Sequence, residues 1–228
     1  MVTLKRLDQI KKNSYEKAAW DEQKVVCGID EVGRGCLAGP LVTAAAILYP
    51  NRKSPLLQDS KLLSKPELIK GYDWIVKNAW FAYGIVDHRT IDAVNIWQAT
   101  LLAMKKALVH LLATCPTKPS LVLVDAMPLN LADTSYLGID VHHFPKGESK
   151  SCSIAAASIV AKVTRDAIMA KYDPLLPGYQ FGQHKGYGTA IHKAALLTYK
   201  ASIIHRQSFL NDPLISLESD YEEQQTLC

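Results

Sequence analysis

Two hydrophobic periods alternate along most of this chain. Val25 to Asp30 is a short apolar run ended by carboxylates, and Leu41 to Tyr49 is a second run, rich in Ala, Val and Ile and stopped by Pro50. Continuous aliphatic runs of this length, bounded by turn residues, are the pattern of buried strands. Trp80 to Val86 alternates large apolar residues and reads as a third strand. Ser120 to Val124 is a dense aliphatic run closing on Asp125, the profile of a central strand covered on both faces, and Ile139 to Phe144 is a short fifth. Between them the period is helical. Ser64 and Glu67 form a capping box for a helix to about Asn78, with Pro66 in its first turn, where proline is tolerated. Ile91, Val94, Leu101, Leu102, Met104, Leu108 and Leu111 carry a long helix over 90–112, closed by Pro116. A small-residue helix over 149–172 places Ala155, Ala156, Ala157 and Ala161 for close packing on a sheet. Shorter helical patterns cover 4–20 and 189–200.

The class expected is therefore α/β: a five-stranded mixed sheet flanked by helices, with a C-terminal helical extension. Residues 1–24 read as an N-terminal extension, 25–210 as one domain, and 211–228 as a mobile acidic tail. Composition supports that division. The whole chain of 228 residues carries a formal charge of +4, yet the tail holds Asp212, Glu218, Asp220, Glu222 and Glu223 with no Lys or Arg, so residues 1–210 set 26 bases against 17 acids, or +9. A basic folded part favours polyanionic partners such as nucleic acid, although many basic proteins bind none. Five widely spaced cysteines without a C-x-x-C pair point to a reducing, cytoplasmic setting. No apolar run approaches a membrane span of about 18 residues, so no membrane partner is expected.

The candidate chemistry lies in the carboxylates. Asp30 and Glu31 end the first strand, Asp125 ends the fourth, and Glu148 precedes the long helix after the fifth. Singly, each also reads as a cap or a surface charge. As a set, they fall where strands give way to helices, the usual edge for a site in an open α/β sheet. Carboxylates without His or Cys favour hard cations, Mg²⁺ or Mn²⁺. Two such ions can assist phosphodiester cleavage. Neighbouring residues of a strand point to opposite faces, so Asp30 and Glu31 share one cation only if the strand twists, bulges or ends there. Asp166 competes with Glu148 for the fourth position, but at 1.5 Å per residue the 18 residues between them span roughly 27 Å of helix, and both cannot serve one site.

Several short motifs occur in a fixed order: Asp30-Glu31-Val32-Gly33-Arg34-Gly35, Asp59-Ser60-Lys61, Val124-Asp125-Ala126, Lys146-Gly147-Glu148-Ser149, residues 155–166 (Ala-Ala-Ala-Ser-Ile-Val-Ala-Lys-Val-Thr-Arg-Asp) and His184-Lys185-Gly186-Tyr187. Together, over roughly residues 25–210, the chain resembles type 2 ribonuclease H, ribonuclease HII. The resemblance implies a ribonuclease H-like fold and a two-metal endonuclease, using Mg²⁺ or Mn²⁺. Such an enzyme cuts the RNA strand of RNA/DNA hybrids and nicks duplex DNA 5′ of single embedded ribonucleotides, leaving a 3′-hydroxyl and a 5′-phosphate. It implies that Asp30, Glu31, Asp125 and Glu148 are the catalytic metal ligands, although the family's usual motif at the last position is Lys-Gly-Asp. It also implies that Gly33, Arg34 and Gly35 read the ribose 2′-hydroxyl and that Tyr187 packs on the following deoxyribose. Lys61 reads as a phosphate contact by its charge, and Asp59-Ser60-Lys61 belongs to the same family pattern.

By charge alone, Lys185 and Arg206 are further phosphate candidates, with solvated surface cations as the alternative. His184 and His205 read as structural, and Cys27 as a core residue. A monomer is expected. The competing readings are a hybrid-binding module that has lost turnover, which Glu148 would explain, and a ribonuclease H-like DNA nuclease, which the Gly33 to Gly35 turn disfavours.

Overall fold

Strands β1 (Val26–Val32), β2 (Leu41–Leu48), β3 (Ala79–Val86), β4 (Leu121–Asp125) and β5 (Asp140–Phe144) build one sheet in the order β3-β2-β1-β4-β5. β1 runs antiparallel to β2 and parallel to β4, and β4 runs parallel to β5, so the sheet is mixed as expected. The helices are α1 (Ser14–Asp21), α2 (Lys65–Asn78), α3 (His88–Thr114), α4 (Cys152–Tyr172), α5 (Phe181–His184), α6 (Ala190–Tyr199) and α7 (Gln207–Leu210). The computed structural model describes residues 11–136 and 138–210. The acidic tail and the first part of the helix expected over 4–20 lie outside these residues. Among the described residues, no helix is long and apolar enough to cross a membrane.

The described residues fall into two compact units, one drawn from 11–32, 42–85, 100–136 and 138–164, the other from 33–41, 86–99 and 165–210. In the first unit the strand pleat sorts side chains between two cores. Cys27, Ile29, Val122 and Val124 pack with Met104, Leu108 and Leu111 of α3, whereas Val26 and Leu123 pack with Ala19 of α1 and Ile154 of α4. Gly28 shares the second face, and there the α4 backbone comes so close that a β-carbon would lie 2.1 Å from the Ser153 carbonyl carbon. The start of α4 is fixed on the strand by this contact. It is also fixed by Glu16, buried in α1, which accepts from the Ser151 hydroxyl at 2.5 Å and the Ser153 N–H at 3.0 Å. A carboxylate there satisfies donors that a helix N-terminus leaves open. Gly28→Ala is expected to destabilise the fold at the upper end of the about 1–3 kcal/mol typical of overpacking, because the obstacle is backbone. Urea denaturation checks this, and an unchanged midpoint would contradict so tight an approach.

The capping box of α2 forms as the sequence predicts, with Glu67 accepting from the Ser64 N–H at 2.8 Å. The long helix after β3 differs from its uninterrupted pattern. Asn95 is non-helical (φ 67°), and its side chain accepts from the N–H groups of Trp97 and Gln98, so it caps a fresh start within α3.

In the second unit Leu37, Ala38, Met169, Tyr179, Phe181, Leu196 and Ile204 form the core. Buried histidines complete it, in keeping with the structural reading of His184 and His205. The His205 and His192 Nε2 atoms are 2.9 Å apart, His192 Nδ1 lies 2.9 Å from the Tyr187 carbonyl, and the His184 ring stacks on that of His192 at 4.3 Å.

Candidate functional site

Register places the first two carboxylates. The parallel pairing of β1 with β4 ends at Ile29 opposite Val124, so Asp30 and Asp125 are the next residues on adjacent strands, on the same face and at the same C-terminal edge. Val124 lies on the first core face, which sends Asp125 to the face of Gly28 and α4. Pairing of Asp125 with Phe144 leads into Lys146, left-handed at φ 58°, and a 3₁₀ turn over Gly147–Ser149. The Gly147 N–H donates to Asp125 Oδ1 at 2.7 Å, and the turn brings Glu148 inward. One carboxylate oxygen from each of Asp30, Asp125 and Glu148 lies within 4.8 Å of the others. The extra methylene of glutamate is thus accommodated by the turn.

Glu31 lies outside that group of three, yet of the neighbouring carboxylates its charge acts most strongly on Asp30. β1 continues through it to Val32. The Glu31 backbone N–H donates to Asp30 Oδ1 at 2.7 Å. Asp166 is likewise not part of the cluster.

Electrostatics mark the cluster as strained. Asp30, 3% exposed, is held well above the usual carboxylate range by burial and then by the charges of Glu31, Asp125 and Glu148, against a hydrogen bond from Ser158. Ser158 in turn shares a 2.8 Å hydrogen bond with Ser60, a pair that sequence reading passed over although both residues stand inside the quoted motifs. Burial also raises Asp125, opposed by the Gly147 N–H and Lys61, and it raises Glu148, with Asp125 and Asp59 adding to the effect. Burial works against the Lys61 ammonium, but Asp59, Glu148, Asp30 and Asp125 together outweigh it and raise its pKa. Lys61, Asp59, Lys146, Asp125 and Glu148 line a cleft of about 600 Å³. The Asp59 side chain accepts from the Lys61 N–H at 3.0 Å, a local turn that fixes where this lysine leaves the chain. The donor set is all oxygen, and its members repel one another unless a cation joins them. It fits a hard divalent ion.

The residues expected to read the ribose belong to the second unit. Gly33 has φ +94°, and a β-carbon on it would lie 2.2 Å from Arg165 Nε, so the fold itself requires glycine there. Gly35 is exposed and has open space around its α-carbon. Among the described residues, none comes close enough to demand glycine at that position. Tyr187 is 38% exposed, and its backbone bridges to Cys36 of the same turn. Arg206 corrects the charge-based reading: it is fully buried and donates to the carbonyls of Gly39 and Arg34, which leaves it no phosphate to meet.

The family model for ribonuclease HII matches residues 27–212. A ribonuclease HII from Levilactobacillus brevis is 44% identical over 198 residues, covering 86% of this chain and 72% of that protein. The ribonuclease H2 structure from Pyrococcus horikoshii OT3 superposes with a TM-score of 0.64 at 25% identity, over 81% of this chain and 93% of that one. Bst-RNase HIII, solved in complex with Mn²⁺, superposes with a TM-score of 0.58 at 23% identity, over 89% and 67%. The superpositions agree with the ribonuclease H-like sheet, and the match across residues 27–212 together with the 44% identity shows that this chain belongs to the ribonuclease HII family of ribonuclease H enzymes.

Proposed function

We propose that the protein is an endonuclease that hydrolyses the RNA strand of RNA/DNA hybrids and nicks duplex DNA on the 5′ side of single embedded ribonucleotides, leaving a 3′-hydroxyl and a 5′-phosphate. The observation that carries this reading is the convergence of Asp30, Asp125 and Glu148 at one edge of the sheet, the first and last buried, the second half-buried, and all mutually repelling. These three would hold Mg²⁺ or Mn²⁺, in a two-ion arrangement, with Glu31 adding the fourth carboxylate charge. A bound ion of this kind polarises a phosphoryl oxygen and lowers the pKa of water, the two contributions phosphodiester hydrolysis needs. The protein's own part is placement. The Gly147 N–H orients the Asp125 carboxylate, the Ser60–Ser158 pair orients Asp30, and Lys61, held cationic by its acidic neighbours, meets the nucleic-acid backbone.

Specificity is assigned to the Gly33–Gly35 turn and Tyr187. A glycine that the fold does not need, on an exposed turn, lets the backbone approach a ligand to hydrogen-bonding distance. The 2′-hydroxyl is the group that distinguishes RNA from DNA, and the exposed side of Tyr187 offers a surface for a sugar. The protein is proposed to act as a cytoplasmic monomer through its domain over 25–210.

Cleavage of three duplexes with Mg²⁺ or Mn²⁺ tests this: all-DNA, single-ribonucleotide and full hybrid. Cutting is expected on the last two only, and failure on both under either ion would sink the proposal. Glu148→Gln keeps the size of the side chain and removes its charge, and it is expected to lower the metal-dependent rate by about 10²-fold or more, several kcal/mol of charge stabilisation being at stake. An undiminished rate would remove Glu148 from the site.

A further inference from the structure

Among the described residues, Arg165 and Arg206 are the two largest side chains buried completely, each 0% exposed. Their hydrogen bonds go to main-chain carbonyls. Arg165 donates from Nε to Pro40 at 2.9 Å, from Nη1 to Lys185 at 2.8 Å and from Nη2 to Ala38 at 3.1 Å. Arg206 donates from Nε and Nη2 to Gly39 at 3.1 and 3.0 Å, and from Nη1 to Arg34 at 2.8 Å. A buried guanidinium is costly when its acceptors are neutral, and burial pulls Arg206 down to about 10. An aliphatic side chain would fill either space without that cost. What a guanidinium supplies is a rigid fork that ties several carbonyls into one geometry.

Those carbonyls share a location. Four of the five belong to residues 34–40, the stretch that begins at the ribose-reading turn, and the fifth is two residues before Tyr187. Direct backbone bonds brace the same pieces: Leu37 N–H to Gly186 at 2.9 Å, Gly39 N–H to Ile204 at 2.9 Å and Arg206 N–H to Leu37 at 2.9 Å. The Arg165 guanidinium also lies 5.7 Å from the centroid of the Tyr187 ring, and Gly33 packs on its Nε.

We propose that Arg165 and Arg206 are positioning residues that hold the Gly33–Gly35 turn and Tyr187 in their reading geometry before nucleic acid arrives, and so set discrimination between ribose and deoxyribose. The proposal rests on the assignment of that turn and Tyr187 to ribose recognition. A loop already ordered loses less entropy on binding than one that must be fixed at that moment.

Arg165→Lys and Arg206→Lys keep the charge but replace the fork by a single ammonium, which cannot span Gly39 and Arg34 together. Each is expected to lower the ratio of kcat/KM on a single-ribonucleotide duplex to binding of the matching all-DNA duplex by tenfold or more. The change should fall on KM, with kcat within about threefold of wild type and Mn²⁺ affinity unchanged, a pattern that general loosening of the fold would not give. Gly35→Ala separates the two layers. If it destroys discrimination while folded lysine variants retain the wild-type ratio, positioning by the arginines is overturned and the recognition reading stands. If Gly35→Ala itself keeps the wild-type ratio, the recognition reading falls and the proposal falls with it. Should the lysine variants not fold, amide hydrogen exchange of the wild type in EDTA decides. Equal protection of the bracing amides of Leu37, Gly39 and Arg206 with and without the single-ribonucleotide duplex supports a preformed reader, and protection of these gained only on binding refutes it.

Discussion

Asp30→Asn is expected to abolish cleavage and, at the same time, to raise the melting temperature of the metal-free protein at neutral pH. The two effects share one cause. Burial and three neighbouring carboxylates hold Asp30 well above the usual range, so ionising it costs the folded state more than the unfolded one. Asparagine keeps an oxygen to accept the Glu31 N–H at 2.7 Å while removing the charge. Relief of such strain at a functional site is typically worth about 0.5–2 kcal/mol, and roughly 2–4 °C per kcal/mol for a chain of this size. The sign follows from linkage. A carboxyl group whose folded pKa exceeds its unfolded value destabilises fully above the folded pKa and not at all below the unfolded one. The advantage of the variant therefore grows as pH rises above about 4 and vanishes below it. Adding Mn²⁺ should raise the wild-type midpoint, since a ligand that binds only the folded state stabilises it, and should do little for the variant. The loss of activity is expected to be about 10³-fold or more, the size of several kcal/mol of transition-state charge stabilisation. Calorimetry at pH 7 and pH 4 beside a cleavage assay reads all of this. A midpoint that falls at pH 7 would mean that Asp30 serves packing, and retained cleavage would remove it from the site.

That strain was only partly legible in the sequence. Aliphatic runs found β1, β2 and β4, where burial on both faces leaves a compositional trace, and alternation found β3. The chain order of Asp30, Asp125 and Glu148 gave the acids, and the family resemblance gave them a purpose. What brings Asp30 and Asp125 together is the one-to-one parallel register ending at Ile29 and Val124, a pairing between segments more than ninety residues apart that no local pattern encodes. Glu31 shows the reverse limit. It stands beside Asp30 in the sequence and its charge acts on that residue, yet it falls outside the group of three carboxylates, a difference that the local sequence does not mark.

Arg206 failed for a different reason. Charge alone suggests solvent or phosphate, and burial of a guanidinium depends on carbonyls supplied by residues 34 and 39, far away along the chain. The apolar residues around it, Ile203, Ile204 and Phe209, were the available signal. Gly35 became informative only by contrast with Gly33. Both are glycines of one turn, yet only Gly33 has a neighbour that forbids a side chain.

Acidification is expected to act on the second unit in the opposite sense to Asp30. Ser202 N–H donates to His205 Nδ1 at 2.8 Å, which leaves the His205 Nε2–H to donate to His192 Nε2 at 2.9 Å and the His192 Nδ1–H to donate to the Tyr187 carbonyl at 2.9 Å. Every ring nitrogen in this chain has a role only while both rings are neutral, since a proton on His192 Nε2 would face another N–H. Burial and the neighbouring imidazoles push both His192 and His205 from 6.5 down to about 4. With the folded pKa below the unfolded one, the unfolded state takes up protons first. Stability is lost as pH falls from about 6.5 to about 4 and changes no further below that through these groups. At about 1.4 kcal/mol per unit, each ring contributes roughly 3 kcal/mol, and the pair less than twice that because they share a hydrogen bond. This is a large part of the 5–15 kcal/mol typical of a folded domain. Urea unfolding from pH 7 to pH 4 should show the decline, and His192→Gln, which offers an oxygen to His205 without titrating, should be less stable at pH 7 but shallower in its pH dependence. Imidazole C2 proton shifts that titrate near 6.5 in the folded protein would refute the neutral chain, because rings holding one another in this way cannot accept a proton at the pH where free histidine does.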